Sequence, residues 1–224
     1  MKKFAVIVAG GVGSRMNQSK PKQFLLLLNK PIIYYTIQAF LKAYSDITIV
    51  IVVHKDYRRE LEEIVKEFNH KIIITDGGAS RFHSVKNGLQ FVQENSIVFV
   101  HDAVRCLLSV SLIHTCYNHA LTHGSAVPAV VSTDSVRLQY ENSNTALNRK
   151  DVKVIQTPQT FKSNILLDSF NVEFNEKFTD EATVVEFAGN KIELVEGEYE
   201  NIKITRPSDL ILAEYFLKLN HTTF

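Results

Sequence analysis

The stretch FAVIVAGGVGSRM, residues 4–16, decides the fold. Its apolar half, Phe4–Val8, predicts a buried first strand, and three glycines in four residues follow it. These are Gly10, Gly11 and Gly13. Glycine lets backbone N–H groups approach a ligand closely and present several donors to phosphate oxygens. We therefore interpret this loop, with Arg15 beside it, as a phosphate-binding loop; a plain tight turn from strand to helix is the alternative.

The loop matches neither of the two commonest glycine-rich nucleotide motifs. A dinucleotide-binding fingerprint needs a further glycine where Met16 stands and an acidic residue about twenty positions later, and both are missing. A P-loop ends in Gly-Lys-Ser/Thr, which is also missing. No Asp or Glu precedes Asp46, whereas seven Lys or Arg residues do. This local excess indicates either an anion site or an ordinary solvated surface.

Downstream, short apolar runs alternate with helical patterns. We predict strands at Ile47–Val53, Lys71–Thr75, Ile97–Val100 and Ala126–Val131. We predict helices at Ile32–Ala43, Tyr57–Phe68, Ser84–Gln93 and Ser111–Thr122. Such alternation is typical of βαβ crossovers, so the fold class is α/β and Rossmann-like, with a mainly parallel sheet flanked by helices. Ligands of such sheets bind at the carboxyl ends of the strands.

The pattern changes at Ser132–Lys150, which is polar and contains a short alternating piece. We predict a protruding two-stranded arm with a polar tip at Gln139–Thr145; a flexible loop is the alternative. The remaining elements are a strand at Val152–Gln156, helices near Asn164–Phe170 and Asp180–Phe187, strands at Lys191–Val195 and Ile202–Ile204, and a closing helix from Pro207. Without a long linker, residues 1–224 are expected to form a single domain.

Composition narrows the classes of protein. A chain of 224 residues with 45% hydrophobic and 22% charged residues fits a globular α/β domain and excludes a disordered chain. The formal net charge of +1 argues against a nucleic-acid partner. Cys106 and Cys116 are too few for a disulfide framework, which favours the reducing cytoplasm. The apolar runs fall well short of the roughly 20 residues of a membrane span.

A second motif, Pro21-Lys22-Gln23-Phe24, follows the glycine loop closely. Proline restricts its own backbone and that of its neighbour, so the approach to Lys22 is stiff. Considered without the glycine loop, Lys22 would be interpreted as a solvated surface lysine. Together, the loop amides, Arg15 and Lys22 would hold a triphosphate and neutralise the charge that builds up on a phosphoryl group.

These two motifs resemble the signature of sugar and polyol nucleotidyltransferases and, more narrowly, the 2-C-methyl-D-erythritol 4-phosphate cytidylyltransferase family. The resemblance extends from Ile7 to about Leu217 through five further segments. They are DGGASRFHSVKNG (76–88), VHDAVR (100–105), QTPQ (156–159), FTDEA (178–182) and NIKITRP (201–207). It implies a nucleotidyltransferase fold, transfer of a cytidylyl group from CTP to a polyol phosphate, and a homodimer held by an arm at about residues 132–150.

The resemblance also implies roles for individual residues. The nucleotide would be bound by Ala9, Gly10, Gly11, Gly13, Arg15, Lys22, Gly78, Ser84, Asp102, Ala103 and Arg105. The acceptor would be bound by Ser135, Arg149, Thr157, Thr179 and Lys203. Arg15, Lys22 and Lys203 would be catalytic, and Asp102 would hold Mg²⁺ or another divalent cation, although an isolated Asp at a strand end also suits a cap. Arg81, His83 and Cys106 receive no role.

Two alternative functions remain at this stage. A ribitol 5-phosphate cytidylyltransferase would share the fold and the chemistry but use another acceptor. The chain departs from the family pattern at Ser135-Val136-Arg137, on the acceptor side, where Thr-x-Lys is more usual. A catalytically inactive nucleotide-binding regulator would be expected to lack Arg15, Lys22, Asp102 or Lys203, and all four are present.

Overall fold

The computed structural model describes residues 1–11 and 20–222. Its strands are β1 (Lys2–Ala9), β2 (Leu26–Leu27), β3 (Lys30–Pro31), β4 (Thr48–Val53), β5 (Ile72–Asp76), β6 (Ser96–Asp102), β7 (Ser125–Val131), β8 (Val136–Gln139), β9 (Asn144–Leu147), β10 (Lys153–Ile155), β11 (Gln159–Lys162) and β12 (Leu194–Glu196). Its α-helices are α1 (Ile32–Ala43), α2 (Arg58–Val65), α3 (Arg81–Leu89), α4 (Val110–His123), α5 (Ser163–Ser169), α6 (Glu181–Phe187) and α7 (Pro207–Thr222).

The main sheet is centred on β1, which pairs in parallel with β4 on one side and β6 on the other. Its strand order is β10-β7-β11-β6-β1-β4-β5, with β12 paired to β7. Alternate residues of β1 enter two different apolar layers. Ala5 and Ile7 pack with α1 and α4, whereas Phe4 and Val6 pack with α3 and α5. Burial on both faces explains why the parallel strands are continuous apolar runs.

The predicted α/β class with a mainly parallel central sheet is confirmed, but two details of the second half were wrong. β11 was not predicted, because QTFK is short and half polar; it inserts antiparallel between β6 and β7. Residues Ile202–Ile204 form no strand. Ile204 is nevertheless fully buried, and its N–H bonds to the Val104 carbonyl at 3.0 Å, so its apolar signal reflects packing rather than a sheet.

Some element boundaries also differ from the prediction. The predicted helix Ser84–Gln93 is α3, which begins at Arg81 because the Ser80 side chain accepts the His83 N–H as an N-cap. The predicted helix Tyr57–Phe68 is a 3₁₀ turn at Lys55–Tyr57 followed by α2. The predicted strand Lys191–Val195 is β12, which begins later, at Leu194, and ends at Glu196.

The polar stretch after β7 forms the predicted two-stranded arm. β8 and β9 pair antiparallel, from Val136 opposite Leu147 to Gln139 opposite Asn144. Residues 137–150 are all exposed, so the arm projects from the main sheet. Within the described part of the chain, we find no helix with both the length and the apolarity that a membrane crossing requires.

Candidate active site

A cavity of about 400 Å³ lies where β1, β5 and β6 end. Because these strands run in parallel, their carboxyl ends meet at one edge of the sheet and bring the segments that follow them together. The cavity is lined by Val8, Ala9, Gly10, Gly11, Lys22, Gln23, Gly78, Ala79, Ser80, Arg81, Ser84, Asp102, Val104 and Lys203. Eight predicted site residues are therefore brought together. Gly13 and Arg15 lie outside the described residues.

The second motif, residues 21–24, is hydrogen-bonded to the backbone of the glycine loop. The buried Gln23 amide donates to the carbonyls of Ala9 at 2.6 Å and Gly11 at 3.1 Å. Phe24 is buried and stacks on Tyr57 with a centroid separation of 5.5 Å. A Cβ on Gly11 would meet none of the residues that the structure describes within 4 Å, which leaves space for a ligand on that side. The sequence analysis gave Gln23 no role, although it lies directly beside Lys22 in the motif.

The loop after β5 packs closely on α3. The Gly78 N–H donates to Ser84 Oγ at 3.0 Å, and the Ser84 hydroxyl donates to the Ser80 carbonyl at 2.9 Å. A Cβ on Gly78 would lie 2.4 Å from the His83 Cβ, so only glycine fits there. Gly78 and Ser84 therefore form one wall of the cavity as a single hydrogen-bonded unit.

Asp102 is the electrostatic centre of the site. Its Oδ2 atom lies 2.8 Å from Lys203 Nζ and 3.8 Å from Arg105 Nε, and its Oδ1 atom lies 3.3 Å from Arg81 Nη2. Burial alone would raise the pKa of this carboxyl, but the charges of Arg81, Lys203 and Arg105 outweigh burial and hold the pKa below its usual range. The side chain is therefore ionised at neutral pH.

A chain of hydrogen bonds fixes the backbone at Asp102. His101 Nε2 lies 3.1 Å from the Arg105 carbonyl, which only accepts, so the ring proton is on Nε2. The Thr157 hydroxyl then donates to His101 Nδ1 at 2.9 Å and accepts the Asp102 N–H at 3.2 Å. Burial lowers the pKa of His101 to about 4, so the ring is neutral. These hydrogen bonds require a neutral ring, because Nδ1 accepts from Thr157. His101 is therefore a buried, hydrogen-bonded histidine of the core.

Three further predicted ligand-binding residues, which follow β6 or contact its end, do not line the cavity. Thr157 is buried and its hydroxyl takes part in the His101 chain. Arg105 donates to the carbonyls of Asn201 at 2.7 Å and Ile155 at 3.4 Å. Ala103 is held by its backbone, which donates to the Val8 carbonyl at 3.1 Å. These bonds connect the segment around Asp102 to β1, β10 and Asn201; the contact of the three residues with a ligand stays a prediction.

The remaining predicted acceptor residues do not line the cavity. Ser135 and Thr179 are exposed, and neither lines the cavity. Arg149 stands at the return of the arm, where its Nη1 atom donates to the Thr133 carbonyl at 3.1 Å. One chain therefore places most of the predicted nucleotide-binding residues along the cavity, whereas Lys203 is the one predicted acceptor residue that lines it.

Among the three residues that received no predicted role, Arg81 and Cys106 lie in different environments. Arg81 lines the cavity and pairs with Glu181 as well as Asp102. Cys106 belongs to an apolar cluster with Leu27 and Ile204, and burial raises the pKa of its thiol to about 12. Cys106 is therefore an unreactive core residue.

The donor set suits a hard cation bound through one carboxylate. Among the residues that the structure describes, Asp102 is the one acidic side chain lining the cavity, and no group of three or more His, Cys, Asp or Glu could hold a metal ion. Mg²⁺ keeps several waters and takes its other oxygens from substrate phosphates, so one ionised carboxylate fits it. A zinc-type site of several protein ligands does not fit this cavity.

Comparisons with known proteins agree with this geometry. The family model of 2-C-methyl-D-erythritol 4-phosphate cytidylyltransferase matches residues 4–219. The chain is similar to that enzyme from Bacteroides thetaiotaomicron, with 38% identity covering 97% of this chain and 100% of the relative. The relative from Azobacteroides pseudotrichonymphae is 41% identical over 95% of this chain and 97% of its own.

Solved structures resemble the chain over nearly its whole length. The 4-diphosphocytidyl-2C-methyl-D-erythritol synthase of Anaerococcus prevotii superposes with a TM-score of 0.84 at 27% identity, covering 97% of this chain and 98% of that one. The 2-C-methyl-D-erythritol 4-phosphate cytidylyltransferase of Thermus thermophilus gives a TM-score of 0.76 at 25% identity, covering 97% and 100%.

Proposed function

The chain belongs to the 2-C-methyl-D-erythritol 4-phosphate cytidylyltransferase family, and we propose that the cavity at the ends of β1, β5 and β6 binds CTP with a divalent cation. As a member of this family, the protein transfers the cytidylyl group of CTP to 2-C-methyl-D-erythritol 4-phosphate. The products are 4-diphosphocytidyl-2-C-methyl-D-erythritol and pyrophosphate. The convergence of Lys22, Asp102 and Lys203 with the glycine loop on one cavity carries the assignment of the site.

The reaction is an in-line displacement at phosphorus. An oxygen of the acceptor phosphate attacks the α-phosphorus of CTP, the bond to the bridging oxygen breaks, and pyrophosphate leaves. Because the attacking phosphate is already an anion, no strong general base is needed. The protein's task is then to position two highly charged substrates and to stabilise the charge that develops between them.

Lys22 and Lys203 are placed for that task from opposite ends of the chain. Both line the cavity, and Lys203 lies on the carboxylate of Asp102. We assign Lys22, together with Arg15, to charge on the α-phosphate and the leaving pyrophosphate. We assign Lys203 to the attacking oxygen. Positive groups that meet the transition state in a partly closed cavity contribute more than they would in water.

Asp102 would hold the divalent cation, which would act as a Lewis acid and stabilise negative charge on the phosphates of CTP. The Thr157–His101 chain keeps the Asp102 backbone in place, and the low pKa of Asp102 keeps its oxygens available as ligands. Lys203 and Arg81 neutralise this carboxylate in the structure described here. On nucleotide binding, phosphate oxygens would compete for Lys203 and release Oδ2 of Asp102.

The acceptor side of the site is completed by a second copy of the chain. The arm carries exposed apolar side chains, with Leu138 at 45%, Tyr140 at 53% and Leu147 at 40% exposure. Exposed apolar residues clustered on a hairpin indicate an interface. Because Arg149 stands at the return of this arm, a twofold dimer would carry its guanidinium to the partner's cavity, where it could bind the acceptor phosphate bidentately.

Two measurements of pyrophosphate release test the function. With CTP and Mg²⁺, turnover should be faster with 2-C-methyl-D-erythritol 4-phosphate than with ribitol 5-phosphate, and addition of EDTA should abolish it. Equal or faster turnover of ribitol 5-phosphate would move the protein to the alternative acceptor. CTP binding without release of pyrophosphate from either acceptor would instead support the inactive regulator.

A further inference from the structure

Glu181 is a buried carboxylate that the reaction described above does not use. It is the first residue of α6, and only 1% of its surface is exposed. Both of its oxygens accept from Arg81: Oε1 from Nη1, and Oε2 from Nη2 at 3.2 Å. Burial raises the pKa of Glu181, and the Arg81 guanidinium opposes that rise. Desolvating such a pair is costly. Because both guanidinium nitrogens bond to this one carboxylate, the bidentate contact fixes where the guanidinium lies.

The same guanidinium also touches the proposed cation ligand. Arg81 Nη2 lies 3.2 Å from Glu181 Oε2 and 3.3 Å from Asp102 Oδ1, so this nitrogen is shared between two carboxylates. The other nitrogen, Nη1, bonds to Glu181 and to no other side chain among the contacts of the described residues. Glu181 and Asp102 therefore compete for Arg81, which itself lines the cavity.

We propose that Glu181 is a positioning residue for the divalent-cation site: by holding Arg81, it keeps the guanidinium from closing over Oδ1 of Asp102. The inference rests on the proposed function, which places the cation at Asp102. If Glu181 lost its charge, Arg81 would turn fully to Asp102, and the cavity would gain one positive charge. Both changes disfavour a cation. The second change favours the additional negative charge of metal-free CTP.

The two opposite effects give a diagnostic ratio. Calorimetric titration with CTP, without acceptor so that no turnover occurs, yields one Kd with Mg²⁺ and one with EDTA. The wild-type protein should bind CTP more tightly with Mg²⁺. In Glu181→Gln this metal preference, the Kd in EDTA divided by the Kd in Mg²⁺, should fall by about tenfold, the low end for loss of an outer partner of a metal ligand.

A merely structural role of Glu181 would leave this ratio unchanged. Misfolded protein lowers the number of binding sites in the titration but not the ratio of two dissociation constants. Asp180→Asn is the matched control, because it removes one negative charge at the neighbouring position. Asp180 accepts from Gln159 Nε2 at 2.8 Å and from the Thr183 N–H at 2.9 Å, so the substitution removes a charge at the start of α6 and changes the contact with Gln159 without removing a bond to Arg81. Its metal preference should stay at the wild-type value.

A rescue variant completes the test. Arg81→Gln combined with Glu181→Gln removes both charges, so no guanidinium remains to close over Asp102, and the metal preference should return toward the wild-type value. If Glu181→Gln does not fold, Glu181→Asp, which keeps the charge but shortens the reach to Arg81, should show a smaller fall. A wild-type protein without metal preference would overturn the cation site itself. A wild-type preference that Glu181→Gln retains, or that the double variant does not restore, would overturn only the role of Glu181.

Discussion

The cavity and the arm are opposite kinds of structure within one chain. The cavity is walled by buried strand ends, and three cationic side chains lie within 4 Å of one ionised carboxylate. The arm is exposed along its length and makes its contacts largely within itself. The proposed function accounts for this difference: one chain would build the nucleotide side of the site alone, whereas the acceptor side would need a second chain.

The largest effect is expected on the nucleotide side of the site, which one chain would build alone. Lys22→Ala should lower kcat by about two orders of magnitude or more, since loss of one transition-state cation typically costs that much. Steady-state kinetics with both substrates measures this. Lys20→Ala is the matched control, because Lys20 pairs with Glu60 on α2 and does not line the cavity. A raised KM for CTP with unchanged kcat would instead show that Lys22 binds the substrate and the transition state equally.

A smaller effect is expected in the arm, and it should concern one substrate only. Arg149→Ala should lower kcat/KM for the acceptor by about tenfold or more, the size of one lost charge-assisted contact, while the KM for CTP stays unchanged. Arg137→Ala is the control, since this second arm arginine bonds to Asn144 across the hairpin. An equal loss of affinity for CTP would show that Arg149 belongs to the nucleotide side.

The strands and the residues at their ends could be predicted from the sequence, whereas contacts between residues far apart in the chain could not. The apolar runs predicted β1, β4, β5 and β6, and the rule that ligands bind at strand ends placed Gly10, Gly78 and Asp102 together. Periodicity says nothing about pairs that are distant in sequence. Arg81 and Glu181 are 100 positions apart, and the Thr157–His101 contact spans 56. β11 was missed for a similar reason, because its burial comes from its neighbours in the sheet rather than from its own composition.

The smallest effect concerns the support beneath the cavity. Thr157→Val leaves the Asp102 N–H and His101 Nδ1 without a partner, which should cost about 1–3 kcal/mol of unfolding free energy. Thermal unfolding measures this as a lower Tm. The control is Thr160→Val, whose buried hydroxyl bonds to the Pro158 carbonyl at 3.3 Å. A raised KM for the acceptor with unchanged Tm would instead give Thr157 the acceptor-binding role that the family resemblance implies.

Subunit complementation tests most directly whether two chains complete one site. Alone, Asp102→Ala is expected to be nearly inactive and Arg149→Ala to be weakly active. The two variants are mixed under conditions in which subunits exchange. In a mixed dimer one site carries both defects and the other carries none, so random pairing should return about one quarter of wild-type activity. A mixture of Asp102→Ala with Lys22→Ala, both on the nucleotide side, should recover none. If exchange is verified and the first mixture stays at the level of its separate components, or if the protein is monomeric at micromolar concentration, Arg149 acts within its own chain and the two-chain site is wrong.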